Sequence, residues 1–235
     1  MIGDPVQFLI WSLFLIPAAL IAIPAHEMGH ALGAYLLGDR SVRSWGYLRP
    51  QFRRYIDPYG MIAVFLANVG WGRPAPIQDS RLGYTGGRRA LYRLAGPLAN
   101  LGLAIVFGIA LRIILVSGIG ASPTSLQPLQ LLAWEVFAIY FLNLAIFAFQ
   151  LLPVPGLDGW EILAAFLRRR SPRFFAQAEM NRQTIWIVCA IAIFFGPLLL
   201  RFSILGAVVG IFFEPASLLI LGRCAAYISL QPCPL

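Results

Sequence analysis

The chain has 235 residues, of which 59% are hydrophobic and only 12% are charged, and its mean hydropathy is +0.76. Soluble domains carry about 25% charged residues, so this composition excludes an ordinary soluble enzyme and predicts a single integral membrane domain over residues 1–235. The net charge of +8 comes from eighteen arginines without any lysine. Because the cytoplasmic loops of membrane proteins collect positive charge, we attribute the arginines to topology and predict no nucleic-acid partner.

The predicted fold is an all-α polytopic membrane protein with about five transmembrane helices. Each predicted span is an apolar run of roughly the length that a bilayer core requires. The second and third spans are separated by only nine residues, 117–125, so no soluble domain is inserted there. The predicted spans cover about residues 6–37, 91–116, 126–152, 184–200 and 202–221.

The long connection between the first and second spans contains a short apolar run at residues 61–69. This run is too short to cross a bilayer, which favours a re-entrant or interfacial segment. The run is followed by Trp-Gly-Arg-Pro-Ala-Pro at residues 71–76. A residue that precedes proline is disfavoured in the helical conformation, so this stretch should be extended.

The arginines also predict an orientation. Residues 39–93 contain ten arginines and residues 153–183 contain five, whereas residues 117–125 contain none. The positive-inside rule then places the two arginine-rich connections in the cytoplasm and the N-terminus outside. We therefore predict a multi-pass protein of a bacterial plasma membrane, in contact with the lipid bilayer.

Toward its end, the first span contains His26-Glu27-Met28-Gly29-His30, an HExxH sequence with the only two histidines of the protein. Histidines at i and i+4 share one face of a helix, where both imidazoles can reach one zinc ion. The adjacent glutamate can take a proton from a water that the metal activates. The alternative is a pair of core histidines bonded to carbonyl groups, but ionisable groups within a span are costly and indicate function. We predict one zinc per chain.

A catalytic zinc needs a third protein ligand, which must be a carboxylate or a cysteine here because no other histidine exists. Asp158 is the best candidate, since it follows the end of the third span at about the depth of the histidines. The twenty residues from Val6 to His26 cover about 30 Å of helix. Asp158 could instead form a turn or cap a helix. The other carboxylates considered as ligands are Glu135, Glu161 and Glu214.

Five motifs in a fixed order carry a family resemblance. They are HEMGHAL at 26–32, LGD at 37–39, GRPAPI at 72–77, AGPLAN at 95–100 and LLPVPGLDG at 151–159. With these motifs the chain resembles the site-2 protease family of intramembrane metalloproteases. The resemblance implies a zinc site of His26, His30 and Asp158 with Glu27 as general base. It also implies hydrolysis of a peptide bond in or beside the transmembrane segment of a single-span substrate, such as a membrane-tethered regulator.

The resemblance also predicts substrate contacts. The family usually has an asparagine, thought to hold the substrate backbone, at the position of Gln150. The extended stretch with Gly72, Arg73 and Pro74 could receive an unwound substrate as an added strand, although it could be a plain loop. Asn100 is a polar candidate near the site, with helix packing as the alternative.

Two non-proteolytic functions are the alternatives at this stage. A metal transporter would use the histidines as an ion site, and an inactive family member would act as a membrane scaffold. Transporters often contain inverted repeats, which we do not find in the sequence. The intact Glu27 argues against an inactive scaffold.

Overall fold

The computed structural model describes residues 5–77, 86–119, 127–200, 203–222 and 224. Within these ranges the regular elements are helices, accompanied by two isolated β-bridges. The all-α prediction is confirmed. The helices are α1 Pro5–Leu36, α2 Ser41–Ser44, α3 Phe52–Tyr55, α4 Pro58–Ala67, α5 Gly86–Val116, α6 Pro128–Gln150, α7 Asp158–Leu167, α8 Pro172–Met180, α9 Arg182–Leu200 and α10 Ile204–Leu221.

Three of the described helices, α1, α5 and α6, are long and apolar enough to cross a membrane. They correspond to the first three predicted spans. The last two predicted spans correspond to α9 and α10, whose described apolar parts are shorter. Residues 120–126 include most of the connection between the second and third predicted spans, and Arg201 lies between the last two. These residues are outside the part of the chain that the structure describes.

The three long helices pack against one another, and α6 lies at the centre of the group. In α6, 72% of the most apolar 18-residue segment is buried inside the protein, whereas the corresponding share is 33% in α1 and 28% in α5. The outer faces of α1 and α5 expose large apolar side chains such as Leu9, Leu13 and Ile113. An apolar face that the protein does not cover suits contact with lipid.

Small residues allow α1 and α5 to approach closely where the HExxH and AGPLAN motifs meet. A Cβ atom on Gly29 would lie 2.6 Å from the Ala95 carbonyl oxygen and 2.8 Å from the Ala99 Cβ. Close backbone contact through small residues is a usual way for membrane helices to associate. As a result, the histidines of α1 lie directly against the backbone of α5.

The segment between α1 and α5 includes a hairpin of one helix and one extended strand-like stretch. Helix α4 begins after Asp57, whose carboxylate accepts a hydrogen bond from the Gly60 N–H at 3.0 Å. The tip of the hairpin is Asn68, which follows α4 and has a left-handed backbone (φ 55°). The Asn68 side chain accepts a hydrogen bond from the Trp11 indole at 2.7 Å. The hairpin therefore runs along α1, as expected for a re-entrant segment.

The chain then returns as a non-helical stretch over residues 70–77, called the extended stretch below, which ends in a turn where the Ile77 N–H donates to the Ala75 carbonyl. Gly72 forms an antiparallel bridge with Ile56, and the Arg73 N–H donates to the Tyr55 carbonyl at 2.7 Å. The extended conformation predicted from the two prolines is found at the Gly72 bridge, whereas residues 75–77 form a turn. These backbone contacts fix the stretch beside the HExxH motif.

Candidate metal centre

Three potential metal ligands from distant parts of the sequence meet between α1 and α7. His26 Nε2 and His30 Nε2 lie 3.1 Å apart, and they lie 3.1 Å and 3.0 Å, respectively, from Asp158 Oδ2. All three side chains are buried. Among the described residues, this is the group of histidine, cysteine and acidic side chains that could hold a metal ion.

The spacing of these atoms fits zinc. Zinc held tetrahedrally, with bonds of about 2.0–2.1 Å, places its ligand atoms about 3.3–3.4 Å apart. The observed separations of 3.0–3.1 Å are slightly shorter, so a small outward movement would accommodate the ion. Two imidazole nitrogens and one carboxylate oxygen are also a ligand set that catalytic zinc sites use.

Hydrogen bonds on the far side of each imidazole orient its ring. His26 Nδ1 lies 2.7 Å from Asn100 Oδ1, and His30 Nδ1 lies 3.1 Å from the Tyr92 carbonyl oxygen. Both partners are acceptors, so each Nδ1 carries the proton and each Nε2 presents a lone pair. Two lone pairs and a carboxylate oxygen then face one another, and a cation between them relieves their repulsion.

The orientation of the Asn100 amide is itself determined by its other contacts. Its nitrogen donates to the Ala22 carbonyl and to Asn143 Oδ1, both at 2.9 Å. Asn143 in turn donates to the Ile139 carbonyl at 2.8 Å. Both Asn100 and Asn143 are fully buried. The oxygen of Asn100 must therefore face His26, and a network of polar groups connects α1, α5 and α6 behind the metal ligands.

Asp158 is the first residue of α7, but its side chain does not cap this helix. Leu157 occupies the N-cap position, and no side-chain capping bond is formed. The Asp158 carboxylate instead turns toward the two histidines. An ionised carboxylate in this position supplies the anionic oxygen that a third zinc ligand requires.

Glu27 is buried next to His26, and its side chain packs against the backbone of Gly72. A Cβ atom on Gly72 would lie 2.7 Å from both Glu27 Cγ and the Tyr55 carbonyl oxygen. Position 72 therefore has no room for a side chain. The extended stretch thus contacts the predicted general base through its backbone.

The metal centre opens into a cavity of about 740 Å³. His26, Glu27, His30 and Asp158 line it, and so do residues of the extended stretch, of α6 and of α9. The predicted substrate-binding residues found in this lining are Gly72, Pro74 and Gln150. The Gln150 side chain is buried.

The other predicted residues have different positions. The Arg73 side chain is exposed, and it does not line the cavity. Asn100 lies behind His26, where it contacts a candidate zinc ligand rather than the cavity. Of the alternative carboxylates, Glu161 lines the cavity, whereas Glu135 and Glu214 do not.

Sequence reasoning missed three contributors to the site. Arg93 Nη1 lies 3.8 Å from Asp158 Oδ1, the carboxylate oxygen that faces away from the histidines. Tyr92 supplies the carbonyl that orients His30. The first half of α9 forms part of the cavity wall, with Trp186 donating to the Pro155 carbonyl at 2.8 Å. Tyr92 and Arg93 immediately precede the LAGPLAN sequence. This position was the only sequence feature that could have indicated their place near the site.

The fold and the site together define a membrane-embedded metalloenzyme. The chain is 33% identical to Rip2 of Mycobacterium tuberculosis over 198 residues, which are 81% of this chain and 72% of the relative. It is 34% identical to YwhC of Bacillus subtilis over 190 residues, which are 77% of this chain and 84% of the relative. Both relatives are named as zinc metalloproteases.

The chain belongs to the site-2 protease family of zinc metalloproteases, and zinc is its cofactor. No family profile matches the chain. No solved structure matches it either.

Proposed function

We propose that this protein is an intramembrane endopeptidase that hydrolyses a peptide bond in or next to the transmembrane segment of a single-span protein, such as a membrane-tethered regulator. The observation that carries the proposal is the position of the site. The candidate ligands and Glu27 share a cavity of about 740 Å³ among long apolar helices. A segment that resides in the membrane can reach such a cavity without leaving the bilayer.

Bound zinc supplies Lewis-acid chemistry, since it activates water and polarises a carbonyl group. Glu27 lies one residue after His26, so its carboxylate is beside the site where the attacking water would be held. In the proposed mechanism, Glu27 accepts the proton of that water and donates it to the nitrogen of the leaving amine. The backbone of Gly72 lies against the Glu27 side chain and limits its movement.

A helical substrate must unwind before cleavage, because the carbonyl of its scissile bond is otherwise hydrogen-bonded within the helix. Trp71, Gly72 and Pro74 are extended and line the cavity, which supports addition of the substrate as a strand. Gln150 lines the same cavity with an amide that offers both donors and an acceptor. We propose that this amide forms hydrogen bonds with the backbone of the unwound substrate.

The metal transporter and the inactive scaffold are not favoured. The relatives are named as metalloproteases, and Glu27 lies beside the metal ligands, where a protease requires a base.

Replacing Glu27 with glutamine tests the proposed activity. The variant keeps the size and the Gly72 contact of the side chain but removes the base, so we expect cleavage to fall by about 10²–10⁴-fold while zinc stays bound. Wild type and E27Q are co-expressed with tagged single-span proteins, and the product mass locates the cut. A product that both proteins make equally, or a cut far outside the transmembrane region, would disprove the proposal.

We further propose that the protein is a multi-pass protein of a bacterial plasma membrane with its site toward the cytoplasm. The arginine counts of the two connections support this orientation. Reporter fusions after Gly87 and after Arg170 should give cytoplasmic signals, and a fusion after Gly120 should give an external signal. The reverse pattern would mean that the orientation is wrong.

A further inference from the structure

The two oxygens of the Asp158 carboxylate have different surroundings. Oδ2 faces both histidines, at 3.1 Å from His26 Nε2 and 3.0 Å from His30 Nε2. Oδ1 faces away from the histidines and lies 3.8 Å from Arg93 Nη1. This separation is longer than a direct hydrogen bond, so the contact is an electrostatic one between the carboxylate and the guanidinium group.

Arg93 is the arginine that pairs with Asp158 in the part of the chain that the structure describes. Arg182 also lines the catalytic cavity, but its guanidinium group lies against the backbone of Gly156, where a Cβ atom would be 2.7 Å from Arg182 Nη2. Arg89, one helical turn before Arg93, does not line this cavity. The contact with the carboxylate is therefore a property of position 93.

The Arg93 side chain is supported by its neighbour in α5. Its Cζ lies 5.1 Å from the centre of the Tyr92 ring, which is within the range of a cation–π contact. The Tyr92 carbonyl oxygen lies 3.1 Å from His30 Nδ1. Two consecutive residues of α5 thus contact two of the candidate zinc ligands, because Tyr92 contacts His30 and Arg93 contacts Asp158.

The way in which Asp158 binds zinc decides what else the ion can bind. A carboxylate can coordinate a metal through one oxygen or through both. Two imidazole nitrogens and one carboxylate oxygen fill three positions of a tetrahedral site and leave the fourth for water or substrate. The second oxygen of the same carboxylate would compete for that fourth position.

We propose that Arg93 is a positioning residue that restricts Asp158 to zinc coordination through Oδ2 and so keeps the fourth position open. The positive guanidinium group attracts Oδ1 toward α5. It also repels a second cation at the same oxygen, because like charges at a few ångströms interact strongly away from bulk water. The role concerns zinc coordination and requires no substrate, so it goes beyond the proposed proteolysis.

The test counts the metal ligands in the absence of substrate. Zinc is replaced by cobalt(II), whose visible absorption is strong in four-coordinate sites and several-fold weaker in five-coordinate sites. We expect the strong spectrum from the wild type. R93M removes the charge but keeps the length of the side chain, so it should lose most of this intensity while it retains one metal per chain. X-ray absorption of the zinc-loaded proteins should give about four ligands for the wild type and about five for R93M.

Two further variants separate the charge at position 93 from other effects. R93K keeps a positive charge and should retain the strong spectrum. R89M makes the same change as R93M one helical turn earlier, at an exposed residue outside the catalytic cavity, and should also retain it. R93Q is the uncharged variant to use if R93M does not yield folded protein, and it should show the same loss of intensity.

Several results would overturn the proposal. A wild-type protein with the weak spectrum would mean that the fourth position is not kept open. An uncharged variant with the wild-type spectrum, or an equal change in R89M, would mean that Arg93 has no specific effect on the coordination. Loss of the metal from R93M would show that Arg93 is needed to hold the ion. None of these spectra depends on cleavage, so failure of the proposed proteolysis would be seen separately, in the E27Q experiment.

Discussion

Asp158→Asn should lose its zinc and its proteolytic activity although the protein remains folded in the membrane. The Asp158 carboxylate lies 3.0–3.1 Å from the Nε2 atoms of both histidines, and an amide is a much weaker metal ligand than a carboxylate. Asparagine can still occupy the first position of α7, so this variant separates metal binding from a structural role. Zinc per chain, measured by elemental analysis, should fall well below one.

Glu161→Gln provides the matched control for this experiment. Glu161 lies three residues later on α7 and lines the same cavity, but it is not part of the metal-binding group. The control should keep a full zinc complement, and both variants should elute as the wild type does in size-exclusion chromatography. Near-normal zinc content and cleavage in Asp158→Asn would show that Asp158 is structural, and Glu161 would become the next candidate ligand.

Gly96→Ala should disrupt the same site from the opposite side. A Cβ atom at position 96 would lie 2.3 Å from His30 Nε2 and 2.6 Å from its Cε1. The imidazole can move away only by losing its Tyr92 hydrogen bond or its position opposite Asp158. Changes to the groups that orient metal ligands weaken metal binding by about 10–100-fold. We therefore expect at least this loss of zinc affinity, measured by competition with a chelator, together with loss of cleavage.

Gly102→Ala is the control for Gly96→Ala, since it makes the same change six residues later in α5. A Cβ atom there has nothing within 4 Å. The variant should keep its zinc affinity and should be as stable as the wild type or slightly more so, because alanine has fewer unfolded conformations than glycine. If Gly96→Ala bound zinc as tightly as Gly102→Ala, the close contact between α5 and His30 would not matter for the site.

Much of the fold could be predicted because the bilayer imposes simple rules on sequence. The three long helices lie within about five residues of their predicted bounds, since apolar runs of spanning length have no other stable arrangement. The extended stretch at residues 70–77 followed from the prolines at 74 and 76. The start of α4 at Pro58, before the apolar run itself, did not follow from hydropathy. It depends on the cap formed by Asp57.

The candidate ligands could be predicted from spacing and elimination, whereas the groups around them could not. His26 and His30 are neighbours on one helix, so their proximity follows from helical geometry alone. Asn100, Arg93 and Arg182 reach the site through tertiary packing, and the one sequence signal for Arg93 is its place directly before the LAGPLAN sequence. The sequence suggested Asn100 as a substrate contact, while the structure places its amide against His26.

The network of Asn143, Asn100 and His26 also has a consequence for assembly. Membrane helices associate through van der Waals packing and through hydrogen bonds between polar side chains. A slip of one residue moves a helix by 1.5 Å and turns its side chains by about 100°. Such a slip would separate Asn100 from the Ala22 carbonyl and from Asn143 and leave amide groups unpaired in an apolar interior. Polar groups inside the bundle thus help to fix the vertical register of α1, α5 and α6, in addition to the close packing of α1 on α5.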